Sequence, residues 1–128
     1  MASTPPRILM VEDDPDQAML FAQVLSMVKY QVTSVPDAES ALQQLAQSPF
    51  DLLLVDWDLP GMKGDTLITT VKAQYPTIPT ILFSNHINVQ EAAAACHADA
   101  WFRKSDDILR LRKMVADLLE KGQSAKTD

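Results

Sequence analysis

Five short apolar runs alternate along this chain with five longer amphipathic stretches, and that alternation narrows the folds open to it. The runs are "RILMV" from Arg7, "YQVTSV" from Tyr30, "DLLLVD" from Asp51, "TIPTILF" from Thr77 and "AWF" from Ala100. Strands that alternate with helices predict an α/β fold, a parallel sheet covered by helices on both faces. "DLLLVD" is the most uniformly apolar run and is predicted to be central, whereas "YQVTSV" alternates as an edge strand does.

The stretches between the runs carry helix signals. Asp14 can cap the first, with Pro15 in its opening turn and Ala18, Phe21, Leu25 and Val28 on one face. Asp37 is the cap expected for the second, whose stripe is Ala38, Leu42 and Leu45. The third, about Asp65 to Tyr75, is rich in threonine but keeps Leu67, Ile68, Val71 and Tyr75 on a face. "NVQEAAAACHA" reads as the fourth, with Cys96 and His97 packing at its end. Ser105, Asp106 and Asp107 open the last, its stripe is Ile108, Leu111, Val115 and Leu118, and Gly122 is expected to end it.

In a sheet of this kind ligands bind beyond the carboxyl ends of the strands. Glu12, Asp13 and Asp14 follow the first strand, Asp56 and Asp58 end the third, Ser84 ends the fourth and Lys104 follows the fifth. Carboxylates gathered so closely repel one another and call for a cation. With no cluster of Cys or His nearby, an oxygen-only set favours magnesium over zinc. A lysine on the same edge offers a point charge to an anion such as phosphate, and a hydroxyl can donate to it. A carboxylate among these groups is suited to accept a phosphoryl group.

These residues, in this order on these elements, resemble the receiver domain of bacterial response regulators. The resemblance covers about Arg7 to Lys121 and rests on the acid pair after "ILMV", the aspartate ending "LLLVD", the serine ending "TILFS" and the lysine ending "WFRK". It implies a flavodoxin-like doubly wound sheet of order 2-1-3-4-5. It implies that Asp56 takes a phosphoryl group from a sensor histidine kinase or a histidine phosphotransfer protein, with Mg2+ as cofactor. Asp13 is then the direct metal ligand, Glu12 its partner, and Asp58 contributes its backbone carbonyl. Ser84 is the switch hydroxyl, Lys104 pairs with the phosphoryl group, and Trp101 stands at the aromatic switch position. Asp58 and His86 flank the acceptor and are expected to tune the phosphoryl lifetime. Such a domain is a switch read by a downstream protein rather than an enzyme, its only chemistry being self-catalysed phosphorylation and slow autodephosphorylation.

Two departures stand out. Ser105 follows Lys104 where the family usually has proline, which predicts an ordinary trans bond there. His97 occupies a position where a small residue is common. The alternatives are a receiver-like interaction module that is not phosphorylated, and a haloacid-dehalogenase-like phosphatase suggested by Asp56-Trp57-Asp58. That phosphatase places its paired aspartates after the first strand, whereas here the acid pair comes first.

Composition sets the outer bounds. A chain of 128 residues with 47% hydrophobic and 22% charged residues suits one domain, 1–128, with a core of about 7–121 and polar tails. A net charge of −6 argues against nucleic acid as partner. The single cysteine, Cys96, excludes an internal disulfide framework and suits a cytoplasmic setting. Neither a membrane span nor a secretion signal is apparent. The initiating methionine and polar tail suit a complete protein, the alternative being a receiver cut from a hybrid kinase or a longer regulator.

Overall fold

The computed structural model describes residues 4–126, and side chains as far as residue 121. Met1, Ala2 and Ser3 of the expected N-terminal tail, and Thr127 and Asp128 of the C-terminal one, lie outside the described residues. The elements, in chain order, are β1 (Arg7–Val11), α1 (Pro15–Ser26), β2 (Gln31–Val35), α2 (Ala38–Gln47), β3 (Leu52–Asp56), α3 (Gly64–Gln74), β4 (Thr80–Ser84), α4 (Val89–Ala95), β5 (Ala100–Arg103) and α5 (Ile108–Lys126). The strands form one parallel sheet of order β2-β1-β3-β4-β5. β3 is central and buried along its whole length, and β2 lies at an edge, both as the apolar patterns predict.

Successive residues of a strand face opposite sides, so each strand feeds two cores. Ile8, Met10, Leu52, Leu54, Ile81 and Phe83 point one way and meet Phe21 and Leu25 of α1 with Leu111, Val115 and Leu119 of α5. Leu9, Val11, Leu53, Val55 and Leu82 point the other way, onto α2, α3 and α4. Parallel strands buried on both faces have no polar side to tolerate, which is why β3 and β4 read as unbroken apolar runs.

Caps set the helix starts as expected. Asp14 Oδ1 accepts the backbone N–H of Asp16 at 2.9 Å and of Gln17 at 3.4 Å, and Asp37 Oδ1 accepts that of Ser40 at 2.8 Å. Helix ends depart from expectation. Val28 lies beyond α1, half-buried in a turn closed by Lys29 in the left-handed region (φ 69°). α4 stops at Ala95 instead of running on to Ala98. His97 adopts φ 63°, and the N–H groups of His97 and Ala98 turn back to the carbonyls of Ala94 and Ala93. That is a Schellman ending, for which a left-handed residue is required. His97 is therefore exposed rather than packed, and Cys96 alone is buried.

At the last helix, Ser105 and Asp106 precede the first turn. Asp107 Oδ1 accepts the N–H of Leu109 at 3.0 Å, and the helix begins at Ile108. Leu119 completes the buried row with Leu111 and Val115, while Leu118 is half-buried. α5 continues through Gly122 to Lys126. A glycine inside a helix costs about 1 kcal/mol relative to alanine and does not by itself end one. There is no cis peptide bond among the described residues, so Lys104–Ser105 takes the trans path.

Candidate functional site

Parallel register brings the carboxyl ends of four strands to one edge. Asp56 is the last residue of β3 and lies opposite Phe83, and Ser84 is the last of β4. The Lys104 N–H donates to the Ser84 carbonyl at 3.1 Å, and that of Glu12 to the Val35 carbonyl at 3.0 Å, so both follow their strands directly. Glu12, Asp56 and Ser84 are buried at 3%, 4% and 1% exposure. Asp13 is exposed.

Side-chain oxygens of Glu12, Asp13 and Asp56 all lie within 4.8 Å of one another. Lys104 reaches into this group. Its Nζ donates to Glu12 Oε1 at 2.6 Å and to Gln17 Oε1 at 2.5 Å, and it stands 3.3 Å from Asp56 Oδ2. The ammonium also lies 4.8 Å from the centre of the Phe83 ring, a cation–π distance. The Asp58 N–H donates to Asp56 Oδ1 at 3.2 Å and braces the second oxygen of that carboxylate. Asp58 itself is exposed, and its carbonyl accepts no protein hydrogen bond among the described residues.

Burial pushes the Glu12 carboxyl up to about 7, and the nearby Asp56 charge adds to the rise; Lys104 and the Asp14 N–H pull against it. Three carboxylates face one ammonium here. Oxygen-only donors at these separations, with negative charge in excess, fit a hard divalent cation such as magnesium.

The cavity here has a volume of about 290 Å³ and is open to solvent. Glu12, Asp13, Asp56, Asp58, Ser84 and Lys104 line it, together with Asp14, Gln17 and Asn85. Gln17 and Asn85 are the residues that sequence reading missed. Asn85 simply follows the serine, whereas Gln17 had only one available signal, its place one turn into the helix that Asp14 caps.

Two residues expected to act here do not line the cavity. The His86 ring stands edge-on to Trp57 with centroids 4.8 Å apart, and its Nδ1 accepts the Asn88 N–H at 3.1 Å. The His86 backbone N–H donates to Ser84 Oγ at 3.0 Å, so its link to the site runs through the main chain. Trp101, half-buried on β5, packs against the core on the α3 and α4 side, with the Arg103 guanidinium 5.6 Å from its ring centre.

The family model described as "Response regulator receiver domain" matches residues 8–123. Among curated proteins, the response regulator protein PilR of Pseudomonas aeruginosa is 31% identical over 115 residues, covering 88% of this chain and 26% of its own. The sensor histidine kinase TmoS of Ectopseudomonas mendocina is 40% identical over 84 residues, covering 64% of this chain and 8% of its own. The chain thus spans well under a third of the length of these relatives. Among solved structures, the signal receiver domain of an HD domain-containing protein from Pseudomonas fluorescens Pf-5 superposes with a TM-score of 0.92 at 27% identity, over 99% of this chain and 96% of that one.

Proposed function

This chain belongs to the response regulator receiver domain family, and on that premise we propose that it is a signalling switch set by phosphorylation of Asp56. The observation that carries the reading is the meeting of Asp56, Glu12, Asp13, Lys104 and Ser84 around one open cavity. The phosphoryl donor is a phosphohistidine on a sensor kinase or a phosphotransfer protein. An Asp56 oxygen attacks phosphorus. The new O–P bond forms as the P–N bond breaks, and the departing imidazole keeps the electron pair and takes up a proton.

Glu12, Asp13 and Asp56, with the Asp58 carbonyl, would hold magnesium, which when bound would neutralise charge on the carboxylates and the phosphoryl oxygens. Lys104 faces the charge that develops on the phosphoryl group. Ser84 has its oxygen engaged by the His86 N–H, which leaves its proton free to donate. Attraction between the phosphoryl group and these two residues biases the protein toward its active population, in which Trp101 reorients and a downstream protein reads the altered face.

Incubation with magnesium and acetyl phosphate, followed by intact-mass measurement, tests the reading. A single phosphoryl adduct supports it. No adduct, together with no response of tryptophan fluorescence to beryllofluoride, would sink it.

Magnesium is expected to raise the unfolding midpoint of the wild type. At a hundred times its dissociation constant, a ligand bound only by the folded state adds about 2.7 kcal/mol. Asp13→Asn should lose most of that gain, and an equal gain in this variant would place the ion elsewhere. Asp58 and His86 are assigned to tuning. His86→Ala should change the half-life of the aspartyl phosphate by severalfold, and an unchanged half-life would remove His86 from the site's chemistry.

A further inference from the structure

Gln17 lies outside the set of residues that the family resemblance supplies, yet it holds the lysine. Its Oε1 accepts from Lys104 Nζ at 2.5 Å, as near as Glu12 at 2.6 Å and nearer than Asp56 at 3.3 Å. An ammonium only donates, so the Gln17 amide must turn its carbonyl to the lysine. The backbone of Gln17 is fixed as well. Its N–H donates to the Asp14 cap, which ties this position of α1 to the carboxylate loop.

The three side-chain oxygens around Lys104 differ in kind. Glu12 and Asp56 are carboxylates, and both belong to the cluster that fits a divalent cation. Gln17 is neutral and belongs to no such cluster. A carboxylate that anchors a lysine also cancels its charge, whereas an amide holds the ammonium and leaves the charge in place. A lysine side chain that is not held also loses considerable rotamer entropy on engaging a ligand.

We propose that Gln17 is a positioning residue for phosphoryl transfer, holding the Lys104 ammonium beside Asp56 through a neutral acceptor that adds no negative charge to that of Glu12. The proposal rests on Asp56 being the acceptor. It makes Gln17 act only through Lys104.

Gln17→Met keeps the length of the side chain and removes the acceptor. It is expected to slow phosphorylation by acetyl phosphate about tenfold, the kinetic equivalent of one hydrogen bond to a charged group. Gln17→Glu should be slower still, because it adds a second carboxylate at the lysine and sets a negative charge beside the incoming phosphate. In a Lys104→Met background, Gln17→Met should leave the residual rate unchanged. In the metal-free protein, the nitrogen-15 signal of the Lys104 ammonium should be sharp and slow to exchange in the wild type, and fast-exchanging in Gln17→Met.

A wild type that forms no adduct would defeat the Asp56 reading itself. A wild type that is phosphorylated normally, with Gln17→Met reacting at the same rate and an unchanged ammonium signal, would overturn only the role of Gln17. Equal slowing by Gln17→Met with and without Lys104 would also overturn it, since the effect would then be one of packing.

Discussion

Asp56→Asn is expected to stay at its unmodified mass after incubation with magnesium and acetyl phosphate, under conditions in which the wild type gains one phosphoryl group. An amide is a poor nucleophile and cannot form the acyl phosphate. The loss should be complete rather than partial. Unfolding would not account for it, because asparagine has the same shape and its oxygen can still accept the Asp58 N–H that now meets Asp56 Oδ1 at 3.2 Å. Lys104→Ala provides the graded comparison. Removing one group that stabilises developing charge typically slows a reaction by about 10²–10³, so this variant should label slowly but fully. The Asn variant has a second signature. Asp56 is one of the causes that raise the Glu12 carboxyl, so Glu12 should titrate lower once that charge is gone. An adduct of wild-type yield on Asp56→Asn would place the acceptor elsewhere in the chain.

Gly64→Ala should be far more damaging than Gly61→Ala. A Cβ on Gly64 would lie 2.1 Å from the Asp56 carbonyl oxygen, 2.8 Å from its carbon and 2.9 Å from the Trp57 Cα. All three are backbone atoms, so no side chain can swing aside. The Gly64 N–H also donates to the Trp57 carbonyl at 3.0 Å and closes the loop between β3 and α3. Either α3 tilts away or the end of β3 shifts, at an expected cost of about 3 kcal/mol. Because the residue displaced is the proposed acceptor, the phosphorylation rate should fall along with the urea midpoint. Gly61→Ala is the control. Gly61 has φ 73° and nothing within 4 Å of its Cβ position, so only backbone strain of about 1 kcal/mol is expected. If Gly61→Ala proved the more damaging, the close approach at Gly64 could not be what shapes the acceptor loop.

Much of the candidate site is legible in the sequence because it is built on strand ends. Asp56, Ser84 and Lys104 each stand where an apolar run stops, and parallel register brings such stops to a common edge. The helix ends were harder to read. Stripe and composition suggest helix for Val28 and His97 and an end at Gly122, but turn geometry decides where a helix stops. Lys29 and His97 each adopt a left-handed conformation that composition does not signal. The difference in burial within the acid pair is also hidden in the sequence. Glu12 is buried and Asp13 exposed, although they are adjacent and chemically alike.

Local patterns in the chain carry the alternation of strands and helices, the central place of "DLLLVD", and the four strand ends at which the candidate site forms. Those features depend on periods of two and 3.6 residues, which operate within a few positions of the chain. Packing alone brings Gln17 to Lys104, 87 residues away, sets Lys104 nearer Glu12 than Asp56, and leaves no room for a side chain at Gly64. These contacts depend on how α1 and α3 lie against the end of the sheet. That placement is set by side-chain packing across the whole domain, and no local pattern in the chain encodes it.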